Sequence, residues 1–554
     1  MSFDTDVVIV GAGPVGLALA GDLGWRGKQC IVIERGTGQI YQPKMDMVGI
    51  RTMEYCRRWG IVGDVESCPY PRDYPQDNVY LTSLNGYELG REKFLSMGAD
   101  RPPPVSPQKR ERCPQNMFDP ILKKFASSFD TVSMLYRTES DGFEQDEDGV
   151  TVNVTDLETG YPRSIRAKFL IGCDGARSRV AASLGITYSG AGVLTYTTNV
   201  IFQTPDLNSL HDKDPGYRYI FIGPEGTWGT LVAINGRDQW RMSIVGSGKE
   251  HKTYSEVEVR EFAWRCLGCK FNLEILSVIP WIRSELVADS YGAGRVFIAG
   301  DAAHVMSPTG GFGMNSGIGD AVDLSWKLAA VLDGWGGPAL LASYEPERRP
   351  VAVRNVTEAS TNLRHMLSPG RNPALLDDTE EGRALREDLG RRFSEAMKNE
   401  WYTLHIHLGY VYSDSPVVIP DGTAPDWKAS RKYVQNTVPG ARAPHAWLEE
   451  GRSTLDLFGK GYVLMAFGDV QTSGLEAAAS QLHLPLSVYR SGSTELARLY
   501  EKALVLVRPD GHVAWRSDGA PDDAAEILRW VSGWKMTDAG RPPAASGKER
   551  ASVN

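Results

Sequence analysis

Val7-Val8-Ile9-Val10-Gly11-Ala12-Gly13-Pro14-Val15-Gly16 is a β-branched run broken by three glycines at fixed offsets. Asp6 to Val10 reads as a buried strand. Gly11 permits the tight turn, Gly13 lets backbone approach a pyrophosphate, and Gly16 lets a helix pack closely on the strand. That helix starts near Pro14 and carries Val15, Leu17, Ala18 and Leu19. Its N-terminus offers free N–H groups and a positive dipole end to phosphate. A second strand, Gln29 to Glu34, ends on an acidic residue suited to accept from both ribose hydroxyls. The opening therefore reads as a right-handed βαβ unit that holds an adenine dinucleotide.

The 554 residues exceed a single core, which rarely grows past ~250–300, so two or three domains are expected. Hydrophobic residues at 42% and charged residues at 23% describe a soluble globular protein. The net charge of −9 argues against a nucleic-acid partner. Met1 to Asp6 lacks the features of a signal peptide, and Val7 to Val10 is too short to span a bilayer. The expectation is a cytoplasmic protein without a membrane partner. Seven scattered cysteines read as reduced thiols. Cys266-Leu267-Gly268-Cys269 has no second pair or nearby histidine to complete a zinc set, and reads as two unreactive thiols. No metal site is expected; His304, beside the pyrophosphate, reads as structural, and His405 and His407 alternate as on a strand.

After a helix at Arg51 to Trp59, a proline-rich stretch from Cys68 to Pro107 mixes short strands with loops. Helix returns at Asn116 to Ser127, followed by strands at Thr131 to Arg137, Val150 to Asp156 and Arg166 to Cys173. From Val193 to Val245 the pattern alternates, with turns at Gly223-Pro224-Glu225-Gly226 and Asn235-Gly236-Arg237-Asp238. That turn chemistry predicts an antiparallel sheet. It is followed by the strand Val296 to Ala299 and a long helix, Ile318 to Val331. A charged helix, Glu380 to Lys398, precedes a last unit from about Tyr433 to Thr537, and the tail from Ala539 reads as disordered.

Two further motifs follow strands. One is Ile171-Gly172-Cys173-Asp174-Gly175-Ala176-Arg177-Ser178. The other is Gly300-Asp301-Ala302-Ala303-His304, continuing through Ser307-Pro308-Thr309-Gly310-Gly311-Phe312-Gly313-Met314-Asn315. An aspartate at a strand end can accept from a ribitol hydroxyl. The glycine run lets backbone N–H groups face a planar ring. A helix beginning near Met314 points its positive end at that ring, which suits the anion of a reduced flavin.

In this order and spacing the three segments resemble the class A flavoprotein aromatic hydroxylases. The resemblance runs from Thr5 to about Arg349 and includes Arg51-Thr52-Met53-Glu54, Pro114-Gln115, Trp326-Lys327-Leu328 and Tyr344-Glu345-Pro346-Glu347-Arg348-Arg349-Pro350. It implies FAD bound without a covalent link, NADPH or NADH as transient reductant, molecular oxygen, and hydroxylation of a phenolic ring through a flavin C4a-hydroperoxide. Oxidation of a polyketide or antibiotic and epoxidation of an alkene are the alternatives. By resemblance the FAD contacts are Gly11, Gly13, Pro14, Gly16, Glu34, Arg35, Arg51, Gln115, Asp174, Gly175, Asp301, Pro308, Gly311, Gly313, Met314 and Asn315. The family also sets the expectation of a homodimer. Two positions depart from its pattern: Lys44 stands for the usual arginine after the second strand, keeping the charge without the fork, and Ala181 replaces the arginine that closes the Asp174-Gly175 segment. Pro439-Gly440-Ala441-Arg442-Ala443-Pro444-His445 and Leu506-Val507-Arg508-Pro509-Asp510-Gly511-His512-Val513-Ala514-Trp515 resemble the thioredoxin-like domain of the phenol-hydroxylase subgroup, here without a CxxC.

The fold expected is α/β: a Rossmann-like FAD-binding domain (residues 1–75, 105–185 and 285–367) with an inserted antiparallel-sheet substrate domain (76–104 and 186–284). A helical linker (368–432), a thioredoxin-like domain (433–540) and a tail (541–554) complete it. Hydroxylation needs an electron-rich ring, hence a group that takes or orients the phenolic proton in a pocket that excludes water. Asp46, two residues after Lys44, is the first candidate; Tyr217, Tyr219 and Arg241 on the sheet are the others.

Overall fold

The computed structural model describes residues 2–40, 43–205, 207–246, 250, 252–423 and 432–535; the tail from Ala539 lies outside them. Two compact units are present. One comprises Met1–Val322, Arg349–Gly409 and Ala429–Tyr433; the other comprises Asp323–Arg348, Tyr410–Lys428 and Val434–Asn554.

In the first unit the strand Thr5–Val10 lies inside a largely parallel sheet. It pairs with Cys30–Glu34 on one side and Pro162–Gly172 on the other, and Val132–Tyr136 and Val296–Ile298 extend the two sides. The glycine turn thus leaves the carboxyl end of a strand flanked on both sides, where open α/β sheets bind their ligands. Val7, Val8 and Ile9 are fully buried, as their β-branched run predicts. The following helix, Pro14–Trp25, is buried from Gly16 to Gly24 and meets the helix Gln115–Ala126. A Cβ on Gly21 would stand 2.5 Å from the Phe125 ring, so the bare backbone sets that close approach. An antiparallel arm, Thr138–Gln145 and Val150–Asp156, joins the edge of Pro162–Gly172. Its first strand carries no apolar run for sequence reading to find.

The second sheet of this unit has eight strands. Their order is His304–Val305, Glu274–Ala288, Tyr188–Gln203, Gln239–Val245, Gly226–Ala233, Arg218–Gly223, Asn78–Leu81 and Glu88–Glu92. It is antiparallel as the turns predict, with one exception: Arg218–Gly223 and Asn78–Leu81 run parallel. Those two are far apart in sequence, so no hairpin dictates their direction. One face buries Val79, Val200, Phe202, Tyr219, Phe221 and Trp240, with Val259, Ala263 and Leu267 of the helix Glu256–Leu267 in the same core. By strand alternation the other face receives Arg218, Ile220 and Arg241. The helix Glu380–Trp401, read from sequence as part of a linker, packs Leu389, Phe393 and Met397 against Tyr80, Ile220 and Ile222. Apart from the buried Arg386 and Glu400, its charged residues lie toward the outer side and hide the apolar stripe. His405 and His407 fall in a short helix, Leu404–Leu408, rather than a strand; two alternating residues do not distinguish a period of 2 from one helical turn.

The second unit contains a four-stranded sheet ordered Leu486–Ser491, Tyr462–Phe467, Leu504–Val507, Val513–Ser517. The first pair is parallel and the other two are antiparallel, and helices Ser473–Gln481, Thr494–Tyr500 and Ala524–Val531 complete a thioredoxin-like arrangement. No cysteine follows Cys269, so thiol–disulfide chemistry is excluded there. Residues from three separated motifs meet inside this unit. Lys327 donates to Asp323 and Glu347, each at 2.7 Å. Arg508 donates to Glu347 at 2.6 and 2.8 Å, to Asp510 at 2.6 Å and to Asp323 at 3.2 Å. The three carboxylates lie close enough to one another for a metal, but Lys327 and Arg508 already occupy them. Among the described residues, no helix is long and apolar enough to cross a membrane.

Candidate active site

The glycine turn shows where a ligand fits and where none can. A Cβ on Gly11 would lie 2.4 Å from the Cys173 carbonyl oxygen, and one on Gly16 would lie 2.0 Å from that of Gly11. Gly11 also has a φ of +106°, which favours glycine. Gly13, the N-cap of Pro14–Trp25, faces open space instead. The turn is packed where it meets protein and open where a pyrophosphate would lie. Glu34 accepts the N–H groups of Ala12 at 2.9 Å and Gly36 at 2.7 Å, which fixes its carboxylate beside the turn. Arg35 and Lys44 are exposed nearby in the chain. Asp301 stands exposed in the turn after Val296–Ile298, and Pro308 and Gly311 are exposed on the loop that follows. Behind that turn His304 is fully buried, its Nε2 2.8 Å from Asp320, which also accepts the Gly300 N–H. This buried pairing is the structural role expected of His304.

Several expected cofactor residues act on the backbone around this space. Gln115 accepts the Lys44 N–H at 3.0 Å and donates to Asp119 at 3.1 Å, so it fixes the loop that carries Lys44. Burial pushes the Asp119 carboxyl up to about 7. Arg51 is buried and donates to Glu54 at 2.7 Å. Asp174 accepts from Ser178 Oγ at 2.6 Å and from the N–H groups of Arg179 and Val180, which shapes the turn at Gly175. Asn315 joins two distant segments: its Oδ1 accepts from Gly49 N–H and Thr52 Oγ1, each at 2.7 Å, and its Nδ2 donates to the Gly311 carbonyl at 2.7 Å. Gly313 and Met314, half-buried, open the helix Phe312–Leu332 from the same loop.

Asp46, Tyr217 and Arg241 come together. The Tyr217 hydroxyl donates to Asp46 Oδ2, and Arg241 Nη2 lies 3.2 Å from the same oxygen. Arg112 donates to Asp46 Oδ1 at 3.1 Å, and its guanidinium carbon sits 3.4 Å from the centre of the Tyr217 ring. Burial opposes the charge on Asp46, yet Arg112 and Arg241, with the Tyr217 hydroxyl, hold its carboxyl below the ordinary carboxylate range. Burial and the facing Asp46 push the Tyr217 phenol up, so it is a neutral donor. Tyr219 does not join them. It is buried in the core on the opposite face, where its hydroxyl oxygen accepts the Gly216 N–H at 2.7 Å.

Sequence reading missed four charged neighbours. Arg112 is turned to Asp46 by the pairing of Glu111–Arg112 with Met47–Val48. Arg218 pairs with Glu400 at 2.5 Å, and Glu400 also accepts the Gly310 N–H at 3.3 Å. Arg283 is buried on the strand Glu274–Ala288. His407, an imidazole that burial keeps neutral, packs edge-on against Phe312 and beside Gly49. Arg112 stands three residues before Gln115, a signal within reach; the faces taken by Arg218 and Arg283 depend on strand register.

Comparison with known proteins supplies the family. The FAD binding domain family matches residues 4–359, and the aromatic-ring hydroxylase C-terminal family matches residues 436–534. Tetracenomycin B2 monooxygenase-dioxygenase of Streptomyces olivaceus is 32% identical, covering 95% of this chain and 97% of that one. The 4-methyl-5-nitrocatechol 5-monooxygenase of a Burkholderia species is 32% identical, covering 95% and 96%. A structure of RebC soaked with chromopyrrolic acid and holding 7-carboxy-K252c superposes with a TM-score of 0.89 at 38% identity, covering 96% of this chain and all of that one. The open glycine turn, the exposed Asp301 and the Asn315-braced loop fit FAD, and the chain belongs to the FAD-dependent aromatic-ring monooxygenases, the class A flavoproteins.

Proposed function

We propose that the protein hydroxylates a phenolic ring, with NADPH or NADH as reductant, and that Asp46, Tyr217, Arg241 and Arg112 manage the phenolic proton. The carrying observation is the convergence of a carboxylate, a neutral phenol and two guanidiniums on one oxygen-rich point. Bound FAD supplies the activation of oxygen. Glu34, Asp301 and the loop Pro308 to Asn315 are the residues that would hold it.

The protein's own part is electrostatic. Asp46 fixes the direction of the Tyr217 O–H, which leaves a lone pair on the tyrosine oxygen for a substrate hydroxyl. Its low pKa makes Asp46 a weak base and a permanent acceptor. Arg112 and Arg241 favour negative charge on a substrate oxygen placed there, and a phenolate ring is more readily attacked than a phenol. Asp46 is too weak a base to keep the substrate proton, which passes to water while Tyr217 and the two guanidiniums hold the phenolate oxygen. The nitrocatechol relative carries a phenolic substrate in its name, which supports a phenol over an alkene.

The test follows nicotinamide oxidation and peroxide release across phenols, polycyclic phenols and alkenes. A substrate speeds oxidation without raising peroxide. If only alkenes do so, the phenolic reading fails; if Asp46→Asn couples a phenol normally, the role given to Asp46 fails.

A further inference from the structure

The sheet face beside the loop Pro308 to Asn315 carries more positive than negative charge. Arg112 and Arg241 share Asp46, and Arg218 pairs with Glu400. Arg283 is left over. It is only 4% exposed, and among the described residues its Nε and Nη1 have no hydrogen-bond partner. The charges that act on it are two further arginines, Arg218 and Arg241, and one carboxylate, Glu400. Glu400 does not neutralise it: Oε1 serves Arg218 and the Gly310 N–H, and Oε2 is itself buried without a partner. Loss of solvent, reinforced by the neighbouring Arg218, pushes the Arg283 guanidinium down to about 10, so it keeps its charge at neutral pH.

A buried cation without an anion costs several kcal/mol, and folded proteins pair such groups or place them where a ligand does so. Arg283 is positioned for a ligand by its strand. Glu274–Ala288 pairs on one side with Tyr188–Gln203, in register Thr195 to Arg283, and on the other with His304–Val305, which leads into the loop Pro308 to Asn315. Glu400, the carboxylate that acts on Arg283, is bonded to that loop at Gly310. The unpaired guanidinium therefore belongs to the neighbourhood of the ring site and not to the outer surface.

We propose that Arg283 is the anion-recognition residue of the substrate pocket, and that the aromatic substrate carries a carboxylate. This rests on the phenol-hydroxylating reading for the rest of the substrate. A second anion could meet the same cation: the reduced flavin. The test separates the two.

Ligand binding to the FAD-loaded enzyme is read from the flavin absorbance with two matched pairs, 4-hydroxybenzoate with 4-hydroxybenzamide and 6-hydroxy-2-naphthoate with 6-hydroxy-2-naphthamide. The wild-type enzyme should bind at least one acid about tenfold or more tighter than its amide. Arg283→Met should shrink that ratio to about threefold or less by weakening the acid, and Arg283→Lys should keep part of it. Equal affinity for acid and amide in the wild type overturns the proposal without any variant. So does a ratio that survives in Arg283→Met. A shift in flavin midpoint potential with an unchanged acid-to-amide ratio assigns Arg283 to the reduced flavin and also overturns it. An acid that binds through Arg283 but is never hydroxylated upholds the anion site and defeats the phenol reading. Coupled hydroxylation of neutral phenols with no preference for acids does the reverse.

Discussion

Asn315 holds Gly49 in place across 266 residues of sequence, accepting its N–H at 2.7 Å. The same side chain donates to Met47 O and Gly311 O, so it bonds to both the segment before the helix Ile50–Trp59 and the loop of the ring site. The fit is close: a Cβ on Gly49 would stand 2.9 Å from Asn315 Oδ1 and from His407 Cε1. Asn315→Ala leaves the Gly49 N–H and the Thr52 hydroxyl without their acceptor. Each buried orphan costs ~1–3 kcal/mol, so FAD should bind roughly tenfold to a hundredfold more weakly. Asn315→Asp keeps the acceptor but sets a negative charge beside the ring site, and should lower the flavin midpoint potential. Fluorescence titration of apoprotein with FAD checks the first; unchanged affinity in Asn315→Ala would show that the brace is not what shapes the site.

Asp46 should stay charged through the working range. Its carboxyl lies below the ordinary 3.8 once burial, Arg112, Arg241 and Tyr217 are set against one another. A depressed carboxylate contributes stability that is present above its unfolded pKa and lost as pH falls through the folded one, so between pH 6 and 9 Asp46 adds no titration step. Asp46→Asn should slow hydroxylation by ~10²- to 10⁴-fold while nicotinamide oxidation continues as peroxide release. Tyr217→Phe should lose less, about ten- to a hundredfold, because Arg112 and Arg241 remain. Single-turnover product yield at several pH values checks both. A wild-type step that disappears in Asp46→Asn near pH 7 would refute the ionisation assigned here.

How far residues alone reach is visible in three cases. The strand Thr5–Val10 and its glycine turn were legible because β-branched burial, glycine offsets and Glu34 agree at short range. Tyr217 and Tyr219 were not separable, since Tyr217 precedes the strand and Tyr219 lies within it, and the start of a strand sets which way side chains point. Glu400 was hidden for another reason. It lies near the end of a helix whose charged residues, Glu380 to Lys398, read as solvated linker, and only long-range packing on Ile220 and Ile222 brings its carboxylate to Arg218. Local chemistry was readable from sequence; pairings across hundreds of residues were not.

The Arg508 network should dominate the stability of the second unit. Arg508 is fully buried and donates to Glu347, Asp323 and Asp510. Arg508→Met strands these carboxylates with Lys327 as their remaining basic partner at Asp323 and Glu347. Breaking a buried network from one side costs ~3–5 kcal/mol, whereas removing charges together costs much less. The double variant Arg508→Met with Glu347→Gln should therefore recover part of the loss. Trp326 reports the site, since the Arg508 guanidinium carbon lies 5.1 Å from its ring, so urea unfolding followed by tryptophan fluorescence reads the effect. Additive losses in the double variant would contradict a coupled network.

His407 gives an acid-side prediction. Loss of solvent, with Arg354 and Arg110 close by, pushes its imidazole from 6.5 down to about 4. Between those values the unfolded chain binds a proton that the folded protein refuses, so stability falls as pH drops from about 6.5 toward 4 and is unaffected by His407 above that window. The slope it contributes is at most ~1.4 kcal/mol per pH unit. His407→Gln keeps a polar side chain beside Phe312 without the titration. Urea unfolding of the FAD-bound protein at pH 7.5, 6.0 and 5.0 should show the variant gaining on the wild type by about 1–2 kcal/mol across the series. A constant gap at all three pH values would mean that the imidazole is protonated as readily in the fold as outside it.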